Sequence, residues 1–135
     1  MLKKIPLFIV LLISSVSAFA ADIPQRELVE EGAVLLVGAS GYGEGMGPMA
    51  RVTNGRGQCM YAGAVYGIAN YLKAEINPEQ NKTDSVSKEI NEIFLNSTEL
   101  SKLCNNNSLI SSSALNDKLD EINDQARELL KLVKN

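Results

Sequence analysis

A small all-α domain is the fold that this sequence predicts, and three observations predict it. Gly57 to Leu72 runs without a charge, and Tyr61, Val65, Ile68, Leu72 and Ile76 recur at helical steps of four and three. Leu115, Leu119, Ile122, Ala126, Leu129 and Val133 alternate the same steps near the end of the chain. Cys59 and Cys104 are the only two cysteines, an even pair. The expected architecture is about four helices in one domain, stapled by one disulfide, with a glycine-rich loop from Gly38 to Gly57.

The first twenty residues read as a leader rather than as part of the fold. Lys3 and Lys4 begin it, Ile5 to Ile13 is apolar apart from Pro6, and Ala18-Phe19-Ala20 has the small-residue pattern of a cleavage site. An uncleaved anchor is the alternative, but the apolar stretch is short of the roughly 20 residues a span needs. Residues 21–135 are then one exported, soluble helical domain, in the periplasm or outside the cell. In an oxidising compartment Cys59 and Cys104 are expected to pair, free buried thiols or an intermolecular bridge being the alternatives.

Within 21–135, Asp22 and Pro24 suit a helix start. Leu28, Val29, Ala33, Leu35 and Leu36 give its apolar side. Gly32 to Gly38, GAVLLVG, fits either a continuation of that helix or a short buried strand, and helix is preferred. Gly38 to Gly57 holds seven glycines and Pro48 and is expected to be loop. The uncharged stretch after it is expected to be a central, buried helix. Gly63 and Gly67 leave one side of that helix bare, which suits close packing against a neighbouring helix or a homodimer contact. On the first reading, Gly67→Leu should destabilise far more than Ala64→Leu.

Asn77-Pro78 marks a break. A further helix is expected from Asp84 to Leu95, with Val86, Ile90, Ile93 and Phe94 inward. Asn96 with Glu99 looks like a capping pair that opens a new short turn carrying Leu100, Leu103 and Cys104. Asn105 to Ser113 reads as a linker. The last helix starts at Ser112 or Ser113 and runs to about Val133, with Asp117 and Asp120 early and Lys131 and Lys134 late, as the helix dipole favours. Its stripe is expected to pack on the protein's own core rather than form a coiled-coil seam.

Composition excludes several kinds of chemistry. The chain has no histidine, which removes the commonest general base and metal ligand, so neither an enzyme nor a metal site is expected. Sixteen Asp and Glu face thirteen Lys and Arg, two of which are Lys3 and Lys4 of the leader, and no basic run offers a nucleic-acid footprint. Val34 to Gly43, VLLVGASGYG, resembles a dinucleotide-binding glycine turn, but the βαβ context and the ribose-binding acid are missing, and no cofactor is expected. Other proteins are the expected partners.

From Cys59 onward the layout resembles that of the small periplasmic helical proteins of the HdeA and YmgD kind. Cys59 opens the helix Met60 to Glu75, Cys104 ends Glu99-Leu-Ser-Lys-Leu-Cys, and a polar turn leads to an amphipathic last helix. The resemblance implies a paired cysteine bridge and an acid-stress chaperone, a dimer near neutral pH that opens in acid to expose apolar surface. Helical periplasmic proteins with a cysteine pair also serve as immunity proteins against type VI secreted amidases or as inhibitors of cell-wall enzymes. In that alternative the segment Gly38 to Gly57 blocks a cleft, with Glu44 or Arg51 as the plug.

Overall fold

The computed structural model describes residues 25–45, 55–76, 84–105 and 112–135. The leader at 1–20, the cap at Asp22, Arg51 and the break at Asn77-Pro78 lie outside the described residues. The elements are four helices: α1 Arg26–Gly45, α2 Arg56–Ile76, α3 Ser85–Asn105 and α4 Ser112–Lys134. The fold is all-α as expected, and the run from Gly32 to Gly38 is helix.

The glycine-rich stretch is not loop throughout. Gly38 to Gly45 form the second half of α1, and Arg56 and Gly57 open α2. Glycine costs a helix roughly 1 kcal/mol per residue relative to alanine, so local propensity argues for a loop here. Packing reverses that preference. Val29, Ala33, Leu36, Ser40 and Gly43 step by four and three along α1, and all are buried. A methyl group at Gly43 would stand 2.6 Å from Leu119 Cδ1. This glycine allows α1 and α4 to approach closely.

Cross-helix contacts set the topology. Gly32 sits against Leu72 and Tyr42 stacks on Tyr61, so α1 and α2 are antiparallel. Cys59 bonds Cys104 while Lys73 lies over the Phe94 ring, which makes α2 and α3 antiparallel as well. Lys118 pairs with Glu99 and Asn96 reaches Gln125, giving the same sense to α3 and α4. Gly43 against Leu119 and Val37 against Asn123 close the ring with α1 and α4 antiparallel. The result is an up-down-up-down bundle, the arrangement that short connections favour. One cluster of buried apolar side chains draws on all four helices. The α4 stripe from Leu115 to Val133 lies inside this core, at no more than 1% exposure for any of its six members.

Helix α2 is not the enclosed centre that its lack of charge suggests. Its inward stripe is Gln58, Ala62, Val65, Ala69, Leu72 and Ile76, while Tyr61 and Ile68 are only half-buried. Gly63 and Gly67 are exposed, and a methyl group built on either would meet no atom within 4 Å outside its own helix. Among the described residues no neighbouring helix packs closely on these two glycines, unlike the expected contact. The glycines that do admit a neighbour are Gly32 and Gly43 on α1. At Gly32 a methyl group would lie 2.7 Å from Leu72 Cδ2 and 3.0 Å from Leu72 Cγ.

Helix α3 is continuous through Asn96, where a break was expected. Asp84 caps it: its carboxylate accepts from the Val86 amide at 3.4 Å and the Ser87 hydroxyl at 3.1 Å. Ser97 and Thr98 donate back to the Ile93 and Phe94 carbonyls at 2.7 and 2.9 Å, so their hydroxyls are satisfied without ending the helix. The Asn96 side chain is drawn across to α4 instead, donating to Gln125 at 2.9 Å and accepting from Lys118 at 3.2 Å.

Cys59 and Cys104 are disulfide-bonded, with Cα atoms 5.6 Å apart and 45 positions between them in the chain. In the chain-entropy model a loop of this length is worth roughly 4 kcal/mol. Replacing both cysteines with serine is expected to cost about 2–5 kcal/mol in urea unfolding of the oxidised protein. Unchanged stability would show that the bridge restrains little in the unfolded chain.

The two kinds of glycine should separate cleanly. Gly32→Leu is expected to lose about 1–3 kcal/mol or more, because the added side chain meets buried Leu72. Gly67→Ala should gain roughly 0.5–1 kcal/mol from helix propensity alone. Chemical melts of both variants measure this. A destabilised Gly67→Ala would mean that something presses on the outer side of α2 in solution.

Candidate functional site

Helices α1 and α2 carry more apolar residues than their inward stripes use. In α1 the surplus is Leu28, Val34, Leu35, Val37 and Tyr42, and in α2 it is Met60, Tyr61, Ile68 and Tyr71. Among the described residues six large apolar side chains are exposed, and five of them, Val34, Leu35, Tyr42, Met60 and Tyr71, are on these two helices. Their clustering matters more than their number, because single exposed apolar residues are ordinary on any surface.

The cluster has a shaped centre. A groove of about 260 Å³ runs between α1 and α2, lined by Leu28, Glu31, Gly32 and Leu35 on one side and Gly67, Ile68, Tyr71 and Leu72 on the other. It exists because of its two glycines. Gly32 lets the Leu72 side chain sink against α1, and Gly67 places nothing above the seam. At the opposite end of the seam, Tyr42 and Tyr61 stack with centroids 6.0 Å apart and rings inclined by 14°. Of the residues that line the groove, Leu35 and Tyr71 remain 58% and 54% exposed.

Among the described residues, the one charged side chain in the groove lining is acidic. Glu31 lines the groove, and Glu27 and Glu30 stand with it beside Val34 and Leu35. None of the three carboxylates is ion-paired among the described residues. The groups whose pKa values move, Glu89, Glu99 and Lys118, are on α3 and α4.

The remaining sequence candidates fall elsewhere. Glu44 belongs to the last turn of α1, and Arg51 is outside the described residues. The Gly38-Ala39-Ser40-Gly41 motif is helix rather than a phosphate turn. Ser40 is fully buried, donating to the Leu36 carbonyl at 2.6 Å and accepting from Asn123 Nδ2 at 2.9 Å. It fastens α1 to α4. Cys59 and Cys104 are half-buried against the core and fully used by their bond. Among the described residues no group of three His, Cys, Asp or Glu is placed to hold a metal ion.

Sequence reasoning missed the groove. The signal was present as the double apolar pattern of α1, where Val34 and Leu35 fall between the members of the inward stripe. Reading the uncharged α2 as an enclosed helix hid it. The arrangement offers an apolar seat with an acidic edge, suited to holding another molecule's side chains. No protein-family model matches the chain, and neither a curated protein nor a solved structure matches it significantly.

Proposed function

We propose that the chain is an exported, non-enzymatic protein that acts by binding other proteins through the α1–α2 face. The observation that carries this reading is the exposure of Leu35 and Tyr71 on the walls of a formed groove. The disulfide suits an oxidising compartment, and no described helix is long and apolar enough to cross a membrane. The resemblance of the two-cysteine layout to proteins of the HdeA and YmgD kind implies an acid-stress chaperone, a dimer near neutral pH that opens in acid to bind unfolding clients. The alternative is an immunity protein or inhibitor of a cell-wall enzyme that engages one target near neutral pH. That alternative draws support from the groove being complete while the bundle is folded.

Pulldown from a periplasmic extract with the oxidised protein, at neutral and at acid pH, separates the two. Many unrelated proteins retained only in acid are expected of the chaperone. One stoichiometric partner at neutral pH is expected of the inhibitor. Retention unaffected by Leu35→Ser and Tyr71→Ser would remove the face from either reading.

The two acids with shifted pKa values pull stability in opposite directions on acidification. Lys118 donates to Glu99 at 2.9 Å, and this hydrogen bond together with the ion pair holds the Glu99 carboxyl below its ordinary value. Glu99 therefore contributes stability above the ordinary carboxylate range, and the contribution is lost as pH falls through the lowered value. Partial burial, with Glu92 and then Glu128 nearby, pushes the Glu89 carboxyl up. Its charge costs stability near neutral pH, and that cost is relieved as pH falls through the raised value. In thermal melts between about pH 7 and pH 3, Glu89→Gln should remove the early gain and Glu99→Gln should weaken the later loss. An unchanged acid limb in Glu99→Gln would show that the Lys118 pair is no part of the acid response.

A further inference from the structure

Resting on the reading that the α1–α2 face binds protein, we propose that its occupant is a cationic amphipathic helix of a partner, with one large apolar side chain seated over Gly67. The groove measures about 260 Å³, and apart from Glu31 its lining side chains are apolar. Its open point is Gly67, where among the described residues nothing stands within 4 Å of the missing methyl group. A partner anchor entering there would meet Leu35, Ile68 and Tyr71 on its flanks. Helix-in-groove recognition has this form, with anchors spaced along one helical stripe.

Charge identifies the kind of helix. Glu31 lines the groove, and Glu27 and Glu30 lie within two turns of it on α1, lining with it an adjacent hollow beside the exposed Val34 and Leu35. They have no basic partner among the described residues. A helix carrying Lys or Arg beside its apolar stripe would satisfy these carboxylates while its anchor fills the groove. A second copy of this chain is the weaker fit. It brings the same three glutamates, and any pairing that sets the starts of two α1 helices together crowds six carboxylates.

The probe is a synthetic helical peptide of about four turns built from leucine and lysine, with its leucine–glutamate counterpart as control. Binding to the oxidised protein is followed by fluorescence anisotropy near neutral pH at two salt concentrations. The leucine–lysine peptide is expected to bind, more weakly at high salt, and the control at least about tenfold more weakly. Gly67→Leu fills the seat and should weaken binding by about tenfold or more, as should combined Glu27→Gln, Glu30→Gln and Glu31→Gln. Gly63→Leu, one turn away and outside the groove, should leave it unchanged. Circular dichroism and melting temperature establish that each variant is folded.

Equal binding of both peptides, binding insensitive to Gly67→Leu, or no binding of either would overturn the proposal. Sedimentation showing a dimer that Gly67→Leu dissociates would also overturn it, by making a second copy the occupant. These failures leave the protein-binding reading standing if the pulldown still depends on Leu35 and Tyr71. Both readings fall if it does not.

Discussion

Burial of the α4 stripe is the interaction on which the rest of the bundle depends. Leu115, Leu119, Ile122, Ala126, Leu129 and Val133 are all inside, and each turn of α4 inserts one or two of them between α1 and α3. At about 25 cal/mol per Å² of apolar surface, a fully buried leucine or isoleucine is worth roughly 1.5–3 kcal/mol, so this one helix supplies a large share of the driving force. Polar groups on its flanks then fix what apolar contact leaves loose. On one side Asn123 donates to Ser40 and the Val37 carbonyl, with Arg127 donating at 2.8 Å to the Asn123 carbonyl oxygen. On the other, Lys118 joins Glu99, Asn96 and Glu121.

The ends of the bundle are held by different means. At the end where α2 begins, the Cys59–Cys104 bond ties α2 to α3, and Gln58 reaches diagonally to Asn116 at 2.9 Å. Gln58 is fully buried, yet its Oε1 finds no hydrogen-bond partner among the described residues. A buried acceptor left unpaired typically costs about 1–3 kcal/mol. That cost falls beside the covalent bridge, where the structure is best able to carry it. Toward the other end of α2, Lys73 in its last turn lies 4.1 Å from the centre of the Phe94 ring.

The all-α class, the α4 boundaries and the α4 stripe were legible in the sequence, because an amphipathic helix with a charged outer face has one reading. The course of α1 was less legible. Seven glycines between Gly38 and Gly57 outweighed the stripe that runs through Ser40 and Gly43, and only the proximity of Leu119 shows why glycine is needed there. Asn96 misled in a similar way: a side chain suited to capping found partners on α4 instead. The absence of charge in α2 was read as enclosure. Lack of charge records only that a surface avoids ions, and it cannot distinguish a core from an uncovered apolar face. The candidate site went unread for that reason.

The inward and outward stripes of α1 and α2 share almost no residues. Val29, Ala33, Leu36, Ala62, Val65 and Ala69 hold the bundle together, while Val34, Tyr42, Met60 and Tyr71 stand outside it. Gly67 lies on the outer set as well, with open space where its side chain would be. Substitutions on the outer set therefore fall where the core is indifferent to them, and stability places little restraint on their chemistry. Such a scaffold can change the chemistry of this outer face at a few positions while its fold is kept intact. Gly32 is the exception: it belongs to the groove and also admits Leu72, so a substitution there is felt by both sets.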